Sequence, residues 1–181
     1  MKNKPNAILS IKDQLVDSSR LIIELVSNGI GDNPVLFREA MDTAFREKPP
    51  ISSRASRVIQ LCVEKNRELI LPYMDAIIHN MPEDEGPRRS FLKILANLRF
   101  DFTEDQKGVL ANSCFDWIQS ADQSIAIKVY CMQILAEIAE TEPDLKPELI
   151  SVIEEQIPRG SAGIKAQGKK ILKKLYSGKL L

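Results

Sequence analysis

The stretch IKVYCMQILAEI, residues 127–138, decides the fold class of this 181-residue chain. Its apolar side chains recur at intervals of four, three, one and three residues, which places them on one face of a helix. Similar stripes occur at Phe91, Leu95 and Leu98, and again over residues 109–118. No stretch alternates apolar and polar residues cleanly, as a half-buried strand would. We therefore predict an all-α protein.

Start and stop signals divide the chain into short helices. Asn33 followed by Pro34 is typical of a helix N-terminus, and Thr103 with Gln106 forms the pattern of a capping box. The segment 29–31, Gly-Ile-Gly, predicts a helix end. Short connections predict that successive helices pack as antiparallel hairpins. We expect helices near residues 6–15, 17–29, 33–46, 52–65, 67–81, 87–98, 103–119, 122–139, 143–157 and 161–176.

Five eight-residue strings align without gaps, and their first residues are separated by 36, 33, 40 and 37 residues. They are SRLIIELV from Ser19, ASRVIQLC from Ala55, RRSFLKIL from Arg88, KVYCMQIL from Lys128 and KAQGKKIL from Lys165. The sixth column is always polar, whereas the seventh and eighth columns are always apolar and are expected in the core. A second helix lies between successive strings, so the repeating unit is a helical hairpin of about 37 residues.

These repeats resemble the HEAT and armadillo superfamily of α-solenoids. In that superfamily an Asp in the turn within a repeat is followed, about six residues later, by a basic residue that opens the second helix. Asp122 and Lys128 match both positions. Arg88 and Lys165 match only the basic position, and Asp13 matches only the acidic one.

The resemblance implies a right-handed α-α superhelix of about five antiparallel helical hairpins, forming a single HEAT-like repeat domain over residues 1–181. The expected repeats span roughly residues 6–50, 51–83, 84–120, 121–159 and 160–181, the last being a C-terminal cap. Gly168 and Lys169 interrupt the apolar pattern of the last string, as the polar outer surface of a cap would. An irregular helical bundle whose hairpins recur by chance is the alternative fold.

The sequence contains no catalytic or cofactor-binding pattern. His79 is the only histidine, so sites built from several histidines are excluded, and its place near a predicted helix end indicates a structural or solvated role. Cys62, Cys114 and Cys131 are far apart and lie among apolar neighbours, so we predict buried reduced thiols. We therefore predict no enzymatic activity, no cofactor and no metal site.

Charge and hydropathy limit the partners and the compartment. The 25 basic and 25 acidic residues sum to zero, which argues against a dedicated binder of nucleic acid or anionic membranes. No apolar run approaches the roughly 18 residues of a membrane span, and no secretory signal follows the N-terminus, so we expect a cytoplasmic protein. The charges are nevertheless unevenly distributed in the last third of the chain. Residues 136–156 hold seven acids and one base, whereas residues 161–181 hold six lysines and no acid. That basic segment is a second candidate docking site.

Candidate binding residues follow from the repeat. In α-solenoids the second helices line a concave surface, and residues four positions from the polar sixth column share its side of the helix. The stripe mixes both signs of charge with amides, which favours a protein or peptide ligand over phosphates. The candidate partner-binding residues are Arg57, Gln60, Glu64, Arg89, Lys93, Asn97, Tyr130, Gln133, Glu137, Lys170 and Lys174.

Three functions follow from these observations. The first is a non-enzymatic scaffold or adaptor that binds a protein partner through the concave face. The second is a HEAT-like DNA glycosylase or another nucleic-acid-binding protein, against which the neutral charge and the single tryptophan, Trp117, count. The third is an accessory subunit of an enzyme complex, which the sequence does not separate from the first. The partner's identity and the oligomeric state stay open.

Overall fold

The computed structural model describes residues 9–177, and within this range it contains α-helices and two 3₁₀ helices but no strand. The α-helices are α1 (Ile11–Gln14), α2 (Arg20–Ile30), α3 (Pro34–Arg46), α4 (Ile51–Lys65), α5 (Met74–His79), α6 (Glu85–Asn97), α7 (Glu104–Gln119), α8 (Ile125–Thr141), α9 (Lys146–Arg159) and α10 (Ala162–Ser177). The all-α fold predicted from the sequence is confirmed. Residues 6–8 of the first predicted helix and Lys179 of the basic segment lie outside the described range.

Three helix ends follow the local signals in the sequence. The side chain of Asn33 accepts the backbone N–H of Val35 at 2.9 Å, and Pro34 occupies the first turn of α3. Thr103 and Gln106 form the predicted capping box at the start of α7. Gly31 ends α2 with a φ of 50°, in the left-handed region that glycine adopts without steric cost.

Within the described residues, the first predicted helix forms only the single turn α1, which begins at Ile11 after the N-cap Ser10. The carbonyl oxygens of Leu15 and Val16 accept hydrogen bonds from Arg54 Nη1 at 2.8 and 3.0 Å, and Arg57 Nη1 donates to the carbonyl of Ser18 at 3.0 Å. Because these carbonyls bond to side chains of α4, they satisfy their acceptors without a further helical turn. These two arginines of α4 therefore bind the segment that follows α1, whose last residue, Gln14, lies one residue before the predicted end.

The fifth predicted helix, over residues 67–81, forms as two shorter elements. A 3₁₀ helix covers Arg67–Tyr73 and is followed by α5. Pro72 lies inside this segment and has no backbone N–H to donate to the preceding turn. The proline explains why a continuous α-helix is interrupted here.

Within residues 9–177 the chain divides into two compact units, residues 9–73 with 82–90, and residues 74–81 with 91–177. In the first unit, α4 packs against both α2 and α3, and α1 packs against α3. Its core includes Phe37, Val58 and Ile59, with the Phe37 ring 5.8 Å from that of Tyr73. Ser27, near the end of α2, lies close to the buried thiol of Cys62 on α4.

In the second unit, α7 packs against α8, and α9 packs against α10, while α8 also contacts α10 directly. Leu110, Ile134 and Ile153 are among its fully buried side chains. Cys114 and Cys131 lie buried as free thiols between α7 and α8, and burial together with their mutual contact raises the pKa of Cys114. All three cysteines of the chain are therefore buried thiols, as predicted. The expected repeat boundaries stay a prediction.

One member of the predicted core columns is exposed to solvent. Leu25, in the seventh column of the first string, is 55% exposed on α2, whereas Ile134 and Ile171 in the same column are buried. Leu21, one turn earlier on α2, is also exposed. The prediction that every member of the column lies in the core is therefore wrong at Leu25, because no helix of the described chain covers that face of α2.

Gly168 in α10 has a different role from the one expected. It is buried, and a Cβ placed on it would lie 3.0 Å from Ile153 Cγ2 and 3.1 Å from Ile157 Cγ1 of α9. The absence of a side chain lets these two helices approach closely. The expectation that Gly168 belongs to a polar outer surface is wrong, whereas the neighbouring Lys169 is exposed.

A polar cluster joins α5 to α7 in the second unit. The ring of His79 lies with Nδ1 2.9 Å from the carbonyl oxygen of Asp75 and Nε2 2.8 Å from Asp105 Oδ2. Gln106 Nε2 donates to Asp75 Oδ1 at 2.7 Å. Because a protonated imidazole donates to both acceptors, the backbone bond to Asp75, and next the bond to Asp105, raise the pKa of His79.

Asp105→Asn is expected to lower the pKa of His79 towards its ordinary value, because the amide keeps the shape but removes the charge. The ring signals of the only histidine, followed by NMR against pH, measure this shift directly. The sign of the linkage follows from the raised pKa: the interaction stabilises the fold at pH below about 6.5 and is lost as the pH rises through the folded-state pKa. Asp116→Asn, on the exposed side of the same helix, is the matched control. An unchanged His79 pKa in Asp105→Asn would contradict the pairing.

Candidate functional site

A groove in the second unit gathers several of the predicted binding residues. It has a volume of about 220 Å³ and lies where the end of α6 meets α8 and α10. Its lining residues are Ala96, Asn97, Arg99, Gln133, Ala136, Glu137, Glu140, Gln167, Lys170, Ile171 and Lys174. The small side chains of Ala96 and Ala136 leave the space, and polar side chains surround it. We call this set of residues the α8–α10 groove.

The α8–α10 groove forms because α8 and α10 present polar residues at helical spacing. Gln133, Glu137 and Glu140 follow one another at intervals of four and three along α8, which places them on one side of the helix. On α10, Gln167, Lys170 and Lys174 follow one another at intervals of three and four and so also share one side of their helix. The opposite faces of α8 and α10 carry buried residues. Packing of these residues in the core therefore orients the polar faces of the two helices towards each other.

One ion pair closes part of the groove. The ammonium group of Lys174 contacts Glu140 Oε1, and both side chains are largely buried, at 15% and 19% exposure. Each charge compensates the other, which limits the cost of removing both from water. This pair connects α10 to α8 and leaves Lys174 less available to a partner than the exposed Lys170.

Glu137 occupies a different position in the same groove. Its side chain is half-buried, and burial raises its pKa, an effect that the nearby charge of Arg99 opposes and that of Glu140 reinforces. The carboxylate is therefore partly removed from water, and the nearby charges of Arg99 and Lys174 offset part of that cost.

The side chain of Gln133, one turn before Glu137, has one buried atom without a hydrogen-bond partner in the described chain. Its Oε1 atom is buried and has no hydrogen-bond donor in the part of the chain that the structure describes. A buried acceptor without a donor costs about 1–3 kcal/mol. Gln133 and Glu137 thus place a buried acceptor without a donor next to a half-buried carboxylate on α8, since residues four apart are neighbours on a helix.

The structure brings five of the eleven predicted residues into the α8–α10 groove and places the others elsewhere. The five are Asn97, Gln133, Glu137, Lys170 and Lys174. Lys93 and Tyr130 belong to the second unit but do not line the groove. Arg57, Gln60, Glu64 and Arg89 belong to the first unit, where Arg57 bonds to the carbonyl of Ser18 and Gln60 donates to Glu64 at 2.7 Å. Partner binding by any of them stays a prediction.

Sequence reasoning missed three polar residues of the groove. Glu140 lies three positions after Glu137, and Gln167 lies three positions before Lys170. The i±3 spacing, used together with i±4, would have included both of them. Arg99 follows the end of α6, outside any helix, so no periodicity pointed to it.

The basic C-terminal segment divides between the groove and the solvent. Lys165, Lys169 and Lys173 are exposed on α10, while Lys170 and Lys174 line the groove. The pair between Lys174 and Glu140 is one instance of the expected attraction between the acidic and basic segments. A docking role for the exposed lysines stays a prediction.

The described residues provide neither a metal cluster nor a membrane span. Within residues 9–177, no three His, Cys, Asp or Glu side chains come together in the way a metal site requires. None of the helices in the same range has the length and apolar character needed to cross a bilayer.

The comparisons with known proteins identify the family. Neither a search of curated proteins nor a search of solved structures gives a significant match. A family model described as a HEAT repeat domain matches residues 12–175, which is most of the chain. The match covers all five repeated strings, and with the all-α fold it supports the α-solenoid class. The chain belongs to the HEAT repeat family.

Proposed function

We propose that this chain is a non-enzymatic scaffold or adaptor that binds a protein partner in the α8–α10 groove. The observation that carries the proposal is the gathering of an unpaired buried acceptor, Gln133 Oε1, a half-buried carboxylate and exposed cations around one small groove. HEAT repeats form helical scaffolds that commonly mediate protein interactions. The groove is smaller than the roughly 300–1,000 Å³ typical of small-molecule sites, so it suits a partner's side chain better than a cofactor.

The mixed charge of the groove favours a protein over a nucleic acid. Glu137 and Glu140 lie among three cations, whereas a phosphate-binding groove would be lined mostly by Lys and Arg. Aromatic side chains, which stack on unpaired bases, are missing from its described lining, and Trp117 lies on α7 instead. An accessory subunit of an enzyme complex would use the same groove, and the partner's identity distinguishes that role from a free adaptor.

Lys170→Glu is expected to reduce retention of the partner, because it reverses an exposed charge at the groove. The immobilised chain is incubated with native cell extract, and retained proteins are quantified by mass spectrometry against the unmodified chain. Lys169→Glu is the matched control, since Lys169 is exposed on the same helix but does not line the groove. We expect the loss of at least one protein in Lys170→Glu that Lys169→Glu retains. Equal retention by both variants would contradict the proposal.

A further inference from the structure

Three lysines lie in a row along the exposed side of α10. Lys165, Lys169 and Lys173 follow one another at intervals of four residues, and all three are exposed. The buried residues of this helix, Ile164 and Ile171 among them, lie on another side of it. Within residues 9–177 none of the three lysines forms an ion pair, and α10 itself contains no acidic residue. We call these three residues the α10 lysine stripe.

Tyr176 continues the α10 lysine stripe by one turn and marks one of its borders. It lies three residues after Lys173, is 63% exposed, and its hydroxyl donates to Glu154 Oε1 of α9 at 2.7 Å. On the other side of the stripe, α10 faces the groove, where Lys174 is paired with Glu140. The stripe is therefore about one helix wide and has carboxylates on both sides.

This narrow width decides the class of partner. A nucleic-acid duplex or a lipid bilayer is an extended anionic surface, so it would bring phosphates against the bordering carboxylates as well as against the lysines, and like charges repel. A bilayer also takes up apolar side chains, whereas Ile164 and Ile171 of α10 are buried in the core. A single polypeptide segment is as narrow as the stripe and contacts the lysines without facing the carboxylates.

The interval between the lysines matches the interval between side chains on a second helix. A rise of 1.5 Å per residue places neighbouring lysines about 6 Å apart along α10, and Lys165 and Lys173 about 12 Å apart. Carboxylates four residues apart on a partner helix share one face and have the same interval. Each of the three ammonium groups can therefore meet one carboxylate at the same time.

We propose that the α10 lysine stripe binds an acidic helical segment of a partner protein, with Asp or Glu at intervals of four residues. None of the three lysines lines the α8–α10 groove, so the inference goes beyond the function proposed for the groove and does not rest on it. Each exposed ion pair contributes little by itself, so the affinity comes from three pairs acting together. Because these pairs are exposed, we expect salt to weaken the binding.

The test compares three acetylated helical peptides of equal length, each titrated into the full chain at low ionic strength. The first carries three glutamates at intervals of four residues, the second carries three consecutive glutamates, and the third has glutamine in their place. Binding is followed by NMR through the backbone amides of α10 and the ring of Tyr176. We expect the first peptide to bind about threefold tighter than the second and about tenfold tighter than the third.

Two double variants assign the binding to the stripe. Lys165→Gln combined with Lys173→Gln is expected to weaken binding of the first peptide about tenfold, because only one of the three pairs remains. Arg38→Gln combined with Lys48→Gln is the matched control, since it removes two exposed positive charges from the first unit, and we expect it to leave the affinity unchanged. Backbone amide spectra that change only near the substituted residues show that each variant is folded.

Equal binding of the three peptides, equal weakening by both double variants, or shift changes confined to residues outside α10 would each overturn the inference. The chain is also titrated with a DNA duplex and with vesicles that contain phosphatidylserine. Tighter binding of either one than of the first peptide would assign the stripe to that class of partner and overturn the proposal of a protein segment. The retention experiment with Lys170→Glu tests the groove separately, so the two proposals can fail independently.

Discussion

Leu135→Ala is expected to lower the free energy of unfolding by about 2–5 kcal/mol. Leu135 is fully buried on α8, the helix that packs against both α7 and α10. Removing three carbon atoms there loses their transfer free energy and leaves a cavity that three packed helices cannot fully close. Urea unfolding followed by circular dichroism measures the loss as a lower midpoint with little change in slope.

Leu25→Ala is the control for that prediction, since it removes the same atoms from a leucine that the sequence also places in the core. Leu25 is 55% exposed, so we expect its replacement to change stability by no more than about 0.5 kcal/mol. A loss at Leu25 equal to the loss at Leu135 would show that α2 is covered in solution and would contradict its exposed position.

Gly86→Ala is expected to destabilise the first unit by about 1–3 kcal/mol, the usual cost of overpacking. A Cβ on Gly86, at the start of α6, would lie 2.1 Å from Ser53 Oγ and 2.7 Å from Ser53 Cβ. Rotating the Ser53 hydroxyl away relieves only the first contact, because a Cβ moves only with its backbone. The neighbouring hydroxyls of Ser56 and Ser90 lie 3.1 Å apart, so small side chains occupy this whole contact. The lower midpoint of thermal or urea unfolding measures the effect.

Gly108→Ala is expected to stabilise the protein and to raise the unfolding midpoint in the same experiment. Gly108 is exposed within α7, and nothing lies within 4 Å of the position its Cβ would take. Alanine at this position is expected to raise the free energy of unfolding by about 0.5–1 kcal/mol, because glycine loses more backbone conformational entropy when the helix forms. If Gly86→Ala were also stabilising, the close approach of Ser53 would be contradicted.

The candidate site was only partly accessible to sequence reasoning. The polar sixth column led to Gln133 and Lys170, and the four-residue spacing added Glu137. The sixth column also selected Gln60, and Arg57 was selected because it lies near the same stripe, yet both bond to groups within the first unit. Arg99 could not be found, because it lies after the end of α6 and reaches the groove only through packing.

The sequence by itself determined the helices and most of their ends. Apolar spacing and caps such as Asn33 and Thr103 act through hydrogen bonds between residues three or four apart, so the information is local and can be read directly. The start of the short α1 follows a local signal too, since the Ser10 side chain accepts the backbone N–H of Asp13.

Only the tertiary structure decided which apolar residues are covered and which polar residues meet. Leu25 and Ile134 occupy the same column of the repeat, yet one is exposed and the other buried, because burial depends on whether another helix packs over that face. In the same way, Glu140 meets Lys174 across 34 residues of sequence, a contact that no local spacing specifies. Helix formation follows short-range geometry, whereas the groove is a product of long-range packing between α8 and α10.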